Sequence, residues 1–172
     1  LSLRRQRQMC IRDREILYFD GVTEKLASGE ILTLGETRYV LVEFMPGVPC
    51  NEIFLAVRSL ILSGYFPVLA HIERYQCLRK SEAIDELIHA GAYMQMNYRC
   101  LSRLKGLSER NWCRKQVLEG RIHLLGTDMH RLDYRPPELA KSLEWLKKRG
   151  GEELAEKLTM ENPSAILAGD SL

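Results

Sequence analysis

The sequence predicts an α/β fold built on a mostly parallel sheet. Three observations point to it. First, four short segments of apolar, β-branched or aromatic residues alternate with segments whose apolar residues recur at helical spacing. Second, glycines follow most of the helical segments. Third, residues of metal-binding types follow several of the four short apolar segments. Alternation at this spacing is typical of βαβ units, in which consecutive strands lie parallel. With 172 residues and 45% hydrophobic content, the chain can bury one substantial core, so we expect a single domain.

The predicted strands are short and almost wholly apolar, which is typical of strands covered on both faces. They are RYVLVEF (38–44), FPVLAH (66–71), AYMQMN (92–97) and IHLLGTD (122–128).

Helices are predicted between and after these strands. The segment 51–64 has apolar residues at helical spacing, with Asn51 as N-cap and Gly64 as the stop. The segments 81–91 and 108–120 each begin at a serine and end at a glycine. The last helical segments are 136–151, with prolines in its first turn and glycines past its last, then 151–158 and 162–169.

Residues with metal-binding side chains lie at the C-terminal ends of the strands. Glu43 is near the end of the first strand, His71 ends the second, and Asp128 with His130 ends the last. In parallel α/β sheets, reactive groups gather at this edge. An extended backbone would place Asp128 and His130 on the same side. Carboxylate and imidazole groups without thiolates suit a hard-to-borderline divalent ion.

Each of these residues also has an ordinary structural interpretation. Glu43 could be a salt-bridged residue at a strand edge, because burying an unpaired carboxylate is costly. His71 could be a structural histidine of the core. His89 and His123 have no acidic partner at useful spacing, and we interpret both as packing or surface residues.

Two arginines follow the candidate ligands, Arg74 and Arg135. Both could be surface charges. Beside a metal ion, however, an arginine fork is a natural partner for phosphate oxygens, so both are candidates for phosphate binding.

The first 14 residues, LSLRRQRQMCIRDR, differ from the rest of the chain. Their charge would suit a basic arm for nucleic acid. The segment closely resembles translated adapter sequence from the ends of assembled gene fragments, so we interpret 1–14 as an adapter-derived artefact and 15–172 as the domain. The segment holds five arginines and one aspartate, so without it the formal net charge changes from +2 to −2. Composition then offers no support for nucleic-acid binding.

Composition also argues against several protein classes. The five cysteines are scattered without a C-x-x-C pair, which argues against a disulfide framework or a zinc ribbon, and we expect reduced thiols. No apolar run approaches the roughly 18 to 20 residues of a membrane span, and no signal-peptide pattern stands at the N-terminus. We therefore expect a soluble, cytoplasmic protein without membrane insertion.

Four segments together carry a resemblance to a known family: LVEF (41–44), PVLAHIERY (67–75), GTDMHRLDYRPP (126–137) and ENPSAIL (161–167). They resemble the PHP (polymerase and histidinol phosphatase) superfamily, and within it the bacterial protein-tyrosine phosphatases of capsular and exopolysaccharide loci. The resemblance covers about 15–172. Intervals of 28 residues separate Glu15 from Glu43 and Glu43 from His71, as in that branch.

The resemblance implies a distorted (β/α)7 barrel that holds up to three divalent ions, commonly manganese, at its C-terminal rim. It implies metal-dependent hydrolysis of phosphotyrosine on a protein, with the tyrosine kinase that controls polysaccharide synthesis as the expected partner. No cysteine lies in a CxxxxxR phosphate loop, so no cysteine nucleophile is expected. The implied metal ligands are Glu15 (bridging two ions), Glu43, His71, Asp128 and His130, and the implied phosphate-binding residues are Arg74 and Arg135.

Members of that branch also have an H-x-H strand and further histidines upstream of the segment that matches Glu15, and this sequence does not show them. We therefore expect an N-terminally truncated piece, the C-terminal part of the barrel, with weak metal binding and little or no activity. Two alternatives stay open: another PHP phosphoesterase, acting on histidinol phosphate or a small phosphoester, and a non-catalytic PHP-like interaction module. The oligomeric state also stays open.

Overall fold

Parallel strands form the centre of the fold. The computed structural model describes residues 15–102, 106–128 and 139–172, and these contain a five-stranded sheet in the order β1-β2-β3-β4-β5. Each strand pairs in parallel with the next, which confirms the predicted α/β fold and places all C-terminal strand ends along one edge. Closure into a barrel stays a prediction. The strands are β1 (Glu15–Leu17), β2 (Tyr39–Glu43), β3 (Phe66–Leu69), β4 (Tyr93–Asn97) and β5 (Leu124–Gly126).

Helices connect the strands, as the sequence predicts. Short 3₁₀ turns at Leu34–Glu36, Ile72–Arg74 and Gln76–Arg79 and a π-helical turn at Lys157–Glu161 join some of them. Within the described ranges, none of the helices has the length and apolar character needed to cross a membrane. The helices are α1 (Val22–Ser28), α2 (Cys50–Leu62), α3 (Ser81–His89), α4 (Arg99–Ser102), α5 (Leu107–Leu118), α6 (Ala140–Glu156) and α7 (Asn162–Ala168).

Helix ends differ from the prediction mainly at the N-terminus of α2. That helix begins at Cys50, with Pro49 as its N-cap, so the predicted cap at Asn51 is wrong. Pro49 has the extended backbone of an N-cap residue (φ −64°, ψ 143°), so the helical conformation begins at the next residue, Cys50. Gly64, at φ 85°, follows the helix end as predicted. The break predicted between the helical segments 136–151 and 151–158 is confirmed inside α6, where Gly151 has φ 87° and ψ 167°.

The main core lies between the sheet and the helices that cover one of its faces. β2 contributes Val40 and Val42, which are completely buried. α2 packs against β3 with buried residues at spacings of three and four, namely Ile53, Ala56, Val57 and Leu60. This buried stripe explains why the segment 51–64 is recognised as a helix from the sequence.

A smaller cluster covers the opposite face of the sheet, where Tyr39, Val68 and Ile166 are buried together. The Tyr39 hydroxyl donates a hydrogen bond of 2.7 Å to the carbonyl oxygen of Asp170, just past α7. Burial raises the pKa of Tyr39 to about 12, so this hydroxyl stays protonated. The two clusters together confirm that the parallel strands are covered on both faces.

The two faces of α2 give a direct test of this packing. Leu60 is fully buried, whereas Leu62 on the same helix is 78% exposed. Leu60→Ala should lower the free energy of unfolding by about 2 to 5 kcal/mol, because it removes packed methyl groups and leaves a cavity. Leu62→Ala should change it by no more than about 0.5 kcal/mol. Urea unfolding measures both, and equal effects would contradict the assigned core face.

Candidate metal centre

Three metal-binding side chains from separate segments converge beside the C-terminal ends of β2 and β3. Glu15 begins β1, Glu43 ends β2, and His71 follows β3 by two residues. In the β1–β2 ladder, Glu15 pairs with Leu41. Because side chains alternate along a strand, Leu41 and Glu43 share one face, and Glu15 therefore lies on that face too.

Distances show that the three side chains meet. The His71 Nε2 atom lies 2.8 Å from Glu15 Oε1 and 3.1 Å from Glu43 Oε2. One donor atom from each residue lies within 4.8 Å of the other two. The His71 side chain is only 3% exposed, whereas the Glu15 and Glu43 side chains are 29% and 32% exposed. The imidazole therefore forms the floor of the cluster and the carboxylates form its solvent-facing side.

The backbone at His71 makes this convergence possible. β3 ends at Leu69, two residues earlier than predicted, and the Ala70 N–H still donates to the Val42 carbonyl at 2.9 Å. His71 then takes the left-handed conformation, with φ 36° and ψ 54°. Non-glycine residues rarely adopt this region, and those that do tend to cluster at functional sites.

The surroundings of His71 favour the protonated, positively charged form of its imidazole. Burial lowers the pKa of His71, and the nearby Arg74 guanidinium lowers it too, but hydrogen bonding to Glu15 and the charges of Glu15 and Glu73 outweigh both. The net result is a raised pKa. The buried Nδ1 atom of His71 has no hydrogen-bond partner within the described ranges. When neutral, the imidazole can offer a ring-nitrogen lone pair to a cation, and Nε2 is the nitrogen that lies beside both carboxylates.

The donor set fits the metal expected from the sequence. Two carboxylate oxygens and one imidazole nitrogen suit divalent ions of hard to borderline character. A bound ion would use Glu15 Oε1, Glu43 Oε2 and His71 Nε2, the three atoms that already converge.

Arg74 connects this cluster to Asp128. Its Nη1 atom lies 3.5 Å from His71 Nε2, and its Nη2 atom donates to Asp128 Oδ2 in a close ion pair. The same Asp128 oxygen accepts a 3.4 Å hydrogen bond from Asn97 Nδ2. Asp128 is not part of the three-residue group, so its role as a metal ligand stays a prediction.

The backbone at Asp128 differs from the extended strand end predicted for it. β5 ends at Gly126, and Asp128 itself has φ 47°, so Asp128 is not in the extended conformation on which that prediction rested. His130 and Arg135, the two remaining predicted site residues, lie outside the described residues, as does the segment 1–14.

The other two histidines have structural roles, as predicted. His89 is exposed on α3, with Nδ1 3.3 Å from the Asp85 carbonyl oxygen. His123 Nδ1 accepts a 3.1 Å hydrogen bond from the Met94 N–H. Burial, with a smaller contribution from Lys157, lowers the pKa of His123 to about 4, so this imidazole is neutral.

Sequence reasoning missed two buried polar residues beside the cluster. Glu73 accepts a 3.3 Å hydrogen bond from the Asn97 N–H, and burial raises the pKa of its carboxyl group. The Tyr75 hydroxyl accepts a 2.9 Å hydrogen bond from the Phe44 N–H, directly after Glu43. Both lie in the segment HIERY. The sequence shows that polar residues follow the apolar strand, but it does not show which backbone groups they will bind.

Sequence comparison finds similar proteins in bacteria. The chain is 34% identical over 159 residues to the tyrosine-protein phosphatase CpsB of Streptococcus pneumoniae, covering 89% of this chain and 65% of that protein. It is 30% identical over 163 residues to the tyrosine-protein phosphatase YwqE of Bacillus subtilis, covering 92% and 63%. The chain thus spans a little under two thirds of the length of these relatives.

A solved structure has the same fold. It superposes with a TM-score of 0.83 at 28% sequence identity, covering 97% of this chain and 71% of the solved one. Its description names YwqE from Bacillus subtilis and CpsB from Streptococcus pneumoniae as unique metal-dependent tyrosine phosphatases. The family model described as capsular polysaccharide synthesis, CpsB/CapC, matches residues 5–168. The chain belongs to the CpsB/CapC family, which confirms the branch predicted from its strand-end motifs.

Proposed function

We propose that the chain is the metal-binding part of a protein-tyrosine phosphatase that acts in capsular or exopolysaccharide synthesis. The observation that carries the proposal is the convergence of Glu15, Glu43 and His71 beside the C-terminal ends of β2 and β3, with Arg74 beside them. The relatives named above are tyrosine-protein phosphatases, and the matching structures are described as metal-dependent, which supports both the reaction and the need for a metal.

The metal is proposed to be Mn²⁺, held by Glu15, Glu43 and His71. A complete domain would hold up to three ions, with Glu15 bridging two of them and Asp128 and His130 as further ligands. When bound, the ions supply Lewis-acid activation of water and neutralise charge on the phosphoryl oxygens.

Arg74 is proposed to bind and orient the phosphate. Its side chain is 37% exposed, so part of the guanidinium faces solvent beside the cluster. The ion pair with Asp128 holds the planar group in place, and its other N–H donors can reach phosphoryl oxygens. Donors fixed in this way stabilise charge that develops in the transition state. Arg135 is proposed as a second phosphate-binding residue.

The thiols of Cys77 and Cys100 do not suit a nucleophilic role. The four cysteines in the described ranges are free. Burial and a contact with Cys50 raise the pKa of Cys77 to about 12, and burial raises the pKa of Cys100 well above its ordinary value. Protonated thiols are poor nucleophiles, so the chemistry falls to the carboxylate, imidazole and guanidinium groups.

The substrate is proposed to be a phosphotyrosine protein in the cytoplasm, the tyrosine kinase that controls polysaccharide synthesis. The relatives named above support this choice over histidinol phosphate or a small phosphoester. The predicted ligand positions 15, 43 and 71 all carry metal-binding residues, and these converge. This argues against a non-catalytic module.

Hydrolysis of a phosphotyrosine peptide by the purified chain tests the proposal, with the pneumococcal CpsB protein as a positive control. We expect slow hydrolysis in Mn²⁺ that EDTA abolishes and added metal restores, and that iodoacetamide leaves unchanged. Histidinol phosphate should be a poorer substrate. Activity that survives EDTA but is lost on alkylation would refute the metal mechanism.

A further inference from the structure

We infer that Gln95 is a positioning residue that fixes His71 for metal binding, a role that rests on the proposed metal-binding function. Gln95 lies in β4, the strand next to β3. Its Oε1 atom accepts a 2.5 Å hydrogen bond from the backbone N–H of His71. No motif in the sequence distinguishes this glutamine from an ordinary polar residue of a strand.

The backbone of His71 needs such a partner. The β3–β4 ladder pairs Val68 with Tyr93 and Leu69 with Met94, and β3 ends there. His71 turns out of the strand at φ 36°, a conformation that is unfavourable for a non-glycine residue and persists only when neighbours hold it. Gln95 follows Met94, so its side chain supplies an acceptor where the backbone ladder has ended.

The Gln95 amide group is itself held from the other side. Its Nε2 atom donates to the Met96 carbonyl at 3.0 Å and to Asn97 Oδ1 at 3.3 Å. Because both of these partners are acceptors, the NH₂ end of the Gln95 amide must face them, and the amide oxygen therefore faces the His71 N–H. Since Asn97 also donates to Asp128, the same hydrogen-bonded chain reaches both the metal cluster and the Asp128–Arg74 pair.

Gly126 leaves the space that Gln95 occupies. A Cβ atom at Gly126 would overlap Gln95 Nε2 and lie 3.1 Å from its Cδ, closer than nine in ten real Cβ contacts. The backbone of Gly126 is not left-handed, so the glycine is required here for room and not for its conformation. Gly126→Ala therefore displaces the Gln95 amide group without changing Gln95 itself.

Co²⁺ binding by the full chain tests the inference through affinity and through the visible absorption spectrum of the bound ion. Gln95→Ala and Gly126→Ala should each weaken Co²⁺ binding about 10-fold and change the spectrum, because outer groups that orient a ligand typically contribute 10- to 100-fold. In the double variant, Co²⁺ affinity should fall by less than the product of the two single fold-changes. Truncating Gln95 vacates the space that the added methyl group at position 126 needs, so the two effects overlap. Gly106→Ala is the matched control, because a Cβ there meets nothing within 4 Å among the described residues.

Hydrogen exchange of the His71 amide separates this inference from the metal-binding function. Faster exchange in Gln95→Ala than in the unchanged chain supports the hydrogen bond by which Gln95 holds the His71 backbone. This result can be obtained even if the unchanged chain binds no Co²⁺ and the metal function fails. Wild-type Co²⁺ affinity, spectrum and His71 exchange in Gln95→Ala would overturn the inference. If Gly126→Ala does not fold, Gln95→Ala decides the outcome by the same three readouts.

Discussion

His71→Ala is expected to lower the affinity of the chain for a divalent ion by more than about 100-fold, because loss of a ligand should exceed the roughly 10- to 100-fold effect of outer groups. The substitution removes the Nε2 atom that lies 2.8 Å from Glu15 and 3.1 Å from Glu43. Two carboxylates would then remain without the buried group on which they converge. Calorimetric titration with Mn²⁺ near neutral pH measures the change, and phosphotyrosine hydrolysis should be lost with it.

His89→Ala is the control for this experiment, since His89 is exposed on α3 and does not belong to the three-residue group. Its Mn²⁺ affinity and hydrolysis should match those of the unchanged chain. Equal affinities for His71→Ala and the unchanged chain would show that the ion binds elsewhere.

Arg74→Ala is expected to weaken binding of inorganic phosphate to the Mn²⁺-loaded chain about 10- to 100-fold, since hydrogen bonds to charged groups contribute roughly 1.5 to 3 kcal/mol. Turnover of a phosphotyrosine peptide should fall about 100-fold or more, the usual effect of removing a donor that stabilises transition-state charge. Mn²⁺ affinity should not fall, because Arg74 is a cation 3.5 Å from His71 Nε2 and not a ligand. Phosphate titration and steady-state kinetics measure the two effects.

Two further variants sharpen the Arg74 experiment. Arg74→Lys keeps the charge but not the planar fork, so it should recover only part of the phosphate affinity. Arg58→Ala removes an exposed arginine of α2 and should change neither measurement. A drop in Mn²⁺ affinity without a change in phosphate binding in Arg74→Ala would contradict the assigned role.

The central sheet and two of the three converging side chains could be predicted from sequence because their physical signals are local. Residues 38–44 and 66–71 are apolar runs with a metal-binding residue at or near the end, and parallel strands bring such ends to one edge. Glu43 and His71 therefore meet as predicted, although they are 28 residues apart in the chain. Glu15 came from the family resemblance, since three residues of strand give too weak a pattern on their own.

The features that sequence reasoning missed depend on tertiary contacts. The acceptor for the His71 N–H comes from Gln95, and the acceptor for the Phe44 N–H comes from Tyr75. Neither partner can be assigned before the strand register is known. The left-handed backbone of Asp128 was missed for a related reason, because its ion pair with Arg74 forms only in the folded chain.

Anomalous X-ray scattering from crystals of the chain grown with Mn²⁺ tests the central claim most directly. The site predicts a manganese peak within bonding distance of Glu15 Oε1, Glu43 Oε2 and His71 Nε2, on the solvent side of the imidazole. A peak at other residues, or well-ordered crystals in saturating Mn²⁺ with no peak between these three atoms, would contradict it.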